Sequence, residues 1–234
     1  MQQNFQDSIA VCKEYGHPDI FITFTCNPKW VEIQQAVTAV GSQDASVRPD
    51  LVARVFKMKL DAMMSDLTKK DVLGRVLAVV YTIEFQKRGL PHAHIVLWMA
   101  EGDKLLSTED IDTIISAELP DKETDAVGYE AVSQFMMHGP CGEANPRQNT
   151  GIIVERNKIH LDNRHVVPYN RGLLVKYQAH INVERFCLFC PKRAVKLSLP
   201  KVVNIFSLPK VVNINFHTIP YRLADAGGVF WRPS

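Results

Sequence analysis

Nothing in the 234 residues approaches the roughly 18 consecutive apolar residues of a membrane-spanning helix. The opening MQQNFQDSIAVCKEYG lacks the apolar segment of a secretory signal, so an intracellular chain with no membrane partner is expected. No Gly-x-x-x-x-Gly-Lys-Ser/Thr phosphate loop occurs, which removes ATP hydrolysis from the activities expected of this polypeptide. Cysteine is sparse and odd in number, five in all, which fits a reducing compartment better than a disulfide framework. The CLFC at 187–190 has no second cysteine pair after it, so a structural zinc is not expected. Charge is nearly balanced, with 27 Lys and Arg against 25 Asp and Glu. A net charge of +2 excludes nucleic-acid affinity by bulk charge and leaves only local patches.

What is present centres on residues 76–99, VLAVVYTIEFQKRGLPHAHIVLWM. Two apolar runs of strand length flank the turn-forming QKRGLP, which predicts a β-hairpin. Side chains alternate faces along a strand, so His92 and His94 point the same way. On the partner strand Glu84 and Gln86 share a face, opposite Ile83 and Phe85. Two imidazoles beside a carboxylate and an amide make a pocket for a divalent cation, although strand histidines also occur as ordinary core residues. Lys87 and Arg88 at the turn add cations for a phosphate, which points to phosphodiester chemistry.

Elsewhere the chain reads as alternating helices and strands. Residues 5–15 predict a short amphipathic helix ending near Gly16. Residues 19–26 alternate β-branched and aromatic types, and Asn27-Pro28 stops them, which predicts a strand. Ile20, Ile22 and Phe24 read as its core face, and Thr23 and Thr25, on the other face, as contacts for a backbone phosphate. From Asp50 the stripe Val52, Phe56, Leu60, Met63, Leu67 predicts a second amphipathic helix. Ser107 and Asp110 form a capping-box pattern for a helix over about 108–118, and a further helix is expected over 129–137. Residues 161–186 interleave Arg164, His165, Arg171, Lys176, His180 and Arg185 with Tyr169 and Tyr177, a mixture that suits single-stranded nucleic acid or an ordinary exposed strand pair. Beyond Phe186 the composition changes, and SLPKVVNI occurs twice, at 198–205 and 207–214. Two copies are too few for a solenoid.

The runs YGHPDIFITFTCNPKW (15–30), RPDLVARVFKMKLD (48–61), VYTIEFQKRGLPHAHIVLW (80–98), FMMHGPCGEANP (135–146) and LDNRHVVPYNRGLLVKYQAHINVE (161–184) together resemble the Helitron helicase-like N-terminal domain. That domain is the Rep nuclease portion of Helitron rolling-circle transposases, one of the HUH endonucleases. The resemblance implies an α+β fold, an antiparallel sheet flanked by helices, over residues 1–186, with 187–234 as a divergent, irregular tail. It implies Mg²⁺ or Mn²⁺ held by His92, His94 and a third ligand, for which Glu84 is preferred to Gln86 because a carboxylate suits a hard cation better. It also implies single-stranded DNA as partner and a nuclear location, and the residues expected from their own pattern to contact that strand are Thr23, Thr25, Lys87, Arg88, Arg164 and Lys176.

In relatives a tyrosine pair with three residues between attacks the phosphate shortly after the HINVE run. No Tyr-x-x-x-Tyr occurs here, and the partner helicase domain is absent from this chain. Tyr169 and Tyr177 are the replacement nucleophiles to be examined. The expectation is an incomplete Rep domain that keeps its metal histidines without its nucleophile, or else a non-catalytic module that binds single-stranded DNA.

Overall fold

A computed structural model of the chain describes residues 11–42, 44–85, 90–138, 154–156, 159–186 and 204–207. The fold is α+β, as expected. Strands β1 (Ile20–Thr25), β2 (Val76–Phe85), β3 (Pro91–Met99) and β6 (Ile181–Arg185) form an antiparallel sheet in the order β6-β1-β3-β2. A short strand, β7 (Asn204–Ser207), pairs with the outer edge of β2, and β4 (Val154–Arg156) and β5 (Ile159–Leu161) make a separate pair. The helices are α1 (Val31–Ala39), α2 (Pro49–Lys69), α3 (Thr108–Ile114), α4 (Ala126–Phe135) and α5 (Arg171–Tyr177). Residues 11–15 are helical, the described end of the expected first helix. The turn with Gln86, Lys87 and Arg88, the cysteine pair at 187–190 and, β7 apart, the tail lie outside the described residues.

Alternation gives the sheet two unlike faces. Ile20, Ile22 and Phe24 of β1, Ala93, Ile95 and Leu97 of β3, and Ile181 and Val183 of β6 are all completely buried on one side. There they meet the stripe Val52, Phe56, Leu60, Met63, Leu67 of α2, and Phe24 stacks on Phe56 at 5.2 Å between ring centroids. Burial of each such side chain contributes about 1.5–3 kcal/mol, so this layer fixes the sheet's register. A Pro at the first helical position starts α2, and the chain leaves it through Asp71 and Gly74, both with positive φ. Gly74 is required twice over: its φ is +103°, and a Cβ there would stand 2.9 Å from that of Asp103.

The capping box of Ser107 and Asp110 starts α3 as expected, but the helix ends at Ile114, sooner than the expected 118. The chain turns out because the backbone of Ser116 exchanges hydrogen bonds with Tyr169 in an isolated bridge. Likewise α4 begins at Ala126, where the Asp125 side chain accepts from the Gly128 N–H, three residues before the predicted start. Behind α4 lies a second apolar cluster of Leu119, Val132, Met136, Leu161, Val166, Tyr169 and Leu174. Helix α5 joins the two clusters, with Leu173 and Tyr177 on the main core and Leu174 on the second.

One buried carboxylate ties α2 to α5. Asp66, 2% exposed, accepts hydrogen bonds from Lys70 at 2.8 Å, from the Tyr177 hydroxyl at 2.5 Å and from Lys176. Burial pushes its pKa up, but the bonds from Lys176, Lys70 and Tyr177 outweigh that and bring it from 3.8 down to about 2. The folded value lies below the unfolded one, so the contribution to stability is complete above 3.8 and is lost as pH falls towards about 2. Asp66→Ala should lower unfolding stability at pH 7 by about 1–3 kcal/mol in urea titrations, because a buried hydroxyl loses its acceptor. An unchanged midpoint would show that the carboxylate does not hold the two helices together.

Candidate metal and nucleic-acid site

The opposite face of the sheet is divided along its length. At one end Val11, Ala78, Val80 and Trp98 form a small apolar cluster under the first helical residues. At the other end two polar rows cross the strands. The register places Thr23 between His94 and Asn182, with Thr82 beyond His94 on β2. In the next row Thr25 pairs with His92, and His92 pairs with Glu84. His180 extends that row, because its carbonyl accepts the Thr25 N–H at 3.0 Å.

The two imidazoles are brought together as predicted, with ring centroids 4.6 Å apart and planes 73° from parallel. Each is set by a residue of β1. His92 Nδ1 lies 2.7 Å from the Thr25 hydroxyl, and His94 Nδ1 lies 3.5 Å from that of Thr23. The His94 ring also stacks on Phe21 at 5.7 Å. With Nδ1–H donating to threonine, Nε2 keeps its lone pair for a cation. Thr23 and Thr25 therefore hold the histidines, a role different from the phosphate contact expected of them. The Glu84 carboxylate is 3.7 Å from His94 Nε2, although its register partner is His92.

His92 is buried, and burial, followed by electrostatic repulsion from the neighbouring imidazoles of His94 and His180, lowers its pKa from 6.5 to about 4. His180 is also shifted down, by burial and then by His138. A neutral imidazole is the form that ligates a metal, so this environment keeps His92 ready at neutral pH. Three buried polar atoms around the pair, Thr82 Oγ1, Asn182 Oδ1 and His180 Nδ1, have no hydrogen-bond partner among the described residues. Such atoms demand water or a ligand. In kind the donors suit Mn²⁺ or Mg²⁺, but among the described residues no three His, Cys, Asp or Glu side chains are placed to hold an ion.

Residues 1–97 match the family model described as the Helitron helicase-like domain at N-terminus. Over that stretch the chain is similar to the Helitron helicase-like domain. The match spans 97 of the 234 residues and contains Thr23, Thr25, Glu84, His92 and His94. It stops short of the resembling runs at 135–146 and 161–184. No curated protein matches the chain. Among the described residues, no helix is long and apolar enough to cross a membrane.

The remaining expected residues are not gathered at the histidine face. Tyr177 packs edge-on against Phe24 at 5.8 Å on the helix side of the sheet, and its hydroxyl donates to Asp66. Burial and that carboxylate raise its pKa well above the ordinary tyrosine value. Tyr169 is buried in the second cluster and donates to the Glu118 carbonyl at 2.9 Å. Lys176 is committed to Asp66, and Arg164 grips Asp162 through Nε and Nη2 at 2.7–3.0 Å. Sequence reasoning missed His180 and Asn182 as members of the polar rows. The alternation His180-Ile181-Asn182-Val183 carried the signal, since Ile181 and Val183 are wholly buried.

A proton titration checks the electrostatics. By NMR the His92 ring should titrate near pH 4. The folded pKa is depressed, so protonation of the unfolded chain destabilises the fold as pH falls from 6.5 towards about 4. A His92 midpoint near 6.5 would contradict the burial and charge argument.

Proposed function

We propose that the chain is part of a Helitron transposase Rep domain that binds single-stranded DNA across its histidine face, with Mn²⁺ or Mg²⁺ between the imidazoles and a phosphate. The observation that carries this reading is the convergence of His92 and His94, each set by a threonine, on one polar end of the sheet. His92 and His94 would hold the cation, and Glu84 beside His94 is the third ligand that the carboxylate chemistry favours. When bound, the cation supplies Lewis-acid polarisation of a phosphate oxygen. The chain's own part is to keep His92 neutral, to fix both ring orientations through Thr25 and Thr23, and to surround the phosphate with polar atoms. Lys87 and Arg88, at the end of the hairpin that bears the histidines, are the cations proposed to follow the DNA backbone. An intracellular, nuclear location goes with a DNA partner.

The nucleophile is where this chain departs from a nicking enzyme. A tyrosine must bring its oxygen within roughly 3–3.5 Å of the phosphorus. Tyr177 lies on the far side of the sheet from the histidines, and Tyr169 is enclosed in another cluster. Binding without tyrosine chemistry is therefore the function proposed for this polypeptide. Mn²⁺ should raise the melting temperature of the wild type, and His92→Ala/His94→Ala should abolish that rise. A fluorescent single strand should bind better than duplex, and its affinity should fall as salt rises, because phosphate contacts release counterions. An unchanged Mn²⁺ effect in the double variant places the ion elsewhere, and a covalent adduct lost on Tyr177→Phe would show that a nucleophile is present after all.

A further inference from the structure

A cleft of about 340 Å³ opens at the end of the sheet remote from the histidines. It lies where β1 begins and β6 ends, and Tyr15, His17, Lys104, Leu105, Arg185 and Phe186 line it. Its walls are fixed by backbone contacts. Gly16, at φ +76°, turns the chain so that its carbonyl accepts the Trp98 indole N–H at 3.0 Å. Asp19, also on the wall, accepts the Met99 N–H through its carboxylate at 2.8 Å, and its carbonyl accepts the Phe186 N–H at 2.8 Å. One wall element is thus tied to both neighbouring strands.

The lining joins two aromatic side chains to two permanent cations and a histidine. Arg185 is exposed, and among the described residues its side chain enters no salt bridge. Lys104 donates to Glu101 at 2.7 Å, but Glu101 is 86% exposed, and an exposed pair of this kind is readily exchanged for a better anion. The Asp19 carboxylate opposes an anion, but one of its oxygens is already engaged by the Met99 N–H. Aromatic faces beside cations are the combination that takes a stacked base and its phosphate. The volume falls in the range of small-ligand sites.

We propose that this cleft takes one nucleotide of single-stranded DNA, its phosphate between Lys104 and Arg185 and its base against Tyr15 or Phe186. It is an anchor separate from the histidine face, whose His94 and His92 stand opposite β1 positions three and five residues further along, or roughly 10 and 17 Å at about 3.4 Å per residue. The inference deepens the reading of the chain as a single-strand binder and rests on it. Two probes keep the two ideas apart. Titration of the wild type with dAMP, followed by NMR, should shift the Trp98 indole N–H signal, and adenosine should do so far less.

In anisotropy titrations with a fluorescent oligonucleotide, Lys104→Glu/Arg185→Glu should weaken binding about tenfold. The salt slope should fall by about 0.7, the loss of one phosphate contact to a single strand. The milder Lys104→Gln/Arg185→Gln pair should weaken binding in the same direction, and circular dichroism should show both variants folded. Unchanged oligonucleotide affinity and salt slope in both variants would overturn the anchor while leaving the single-strand reading intact. A dAMP shift at Trp98 in a protein that binds no oligonucleotide would keep the cleft and overturn that reading. Neither dAMP nor oligonucleotide binding would overturn both.

Discussion

Strand β3 lies at the centre of the sheet, and its side-chain alternation is the constraint on which the rest depends. Ala93, Ile95 and Leu97 are completely buried against the helical layer, so His92 and His94 have nowhere to point but the opposite face. A slip of one residue would move both imidazoles into the core and expose the apolar set. The large apolar layer under α2 therefore holds the polar site in place, although none of its side chains belongs to the site. Hydrophobic energy supplies the register, and the register supplies the chemistry.

The same register determines what β1 does. Its odd-numbered residues lie on the same face as the even-numbered residues of β3, which brings Thr25 opposite His92 and Thr23 opposite His94. Two hydroxyls next to two ring nitrogens orient the rings at little cost, because strand threonines are stiff at χ1. Burial then sets His92 well below the ordinary histidine value. The outcome is an oriented imidazole pair, with His92 held neutral, beside one carboxylate. The division of labour continues on the other side of the sheet, where Asp66 takes up Lys176 and Tyr177 and thereby keeps both away from the histidine face.

Local patterns in the sequence foretell local structure. The hairpin bounds, the stripe of α2 and the Ser107 capping box each depend on residues a few positions apart, and each is found where expected. Long-range pairing is a different matter. Thr25 and His92 are 67 residues apart, and Tyr177 and Asp66 are 111 apart. No periodicity announces such partners, so Thr23 and Thr25 read as phosphate contacts and Lys176 as a contact for DNA. The basic and aromatic mixture at 161–186 misled for the same reason. It spreads over a 3₁₀ turn, a helix and a strand, and its Tyr169 and Tyr177 are buried in two different clusters.

The central claim is that the histidine end of the sheet, and not another patch of the chain, receives a divalent cation. Paramagnetic Mn²⁺ broadens NMR signals close to it, so a titration of the ¹⁵N-labelled chain at neutral pH reads the location directly. Signals of His92 and His94 should broaden first, followed by those of Thr23, Thr25, Thr82 and Glu84, with the helix-side residues around Asp66 unaffected. Broadening that spares His92 and His94, or that centres on Asp66 and the other acidic side chains, would contradict the account.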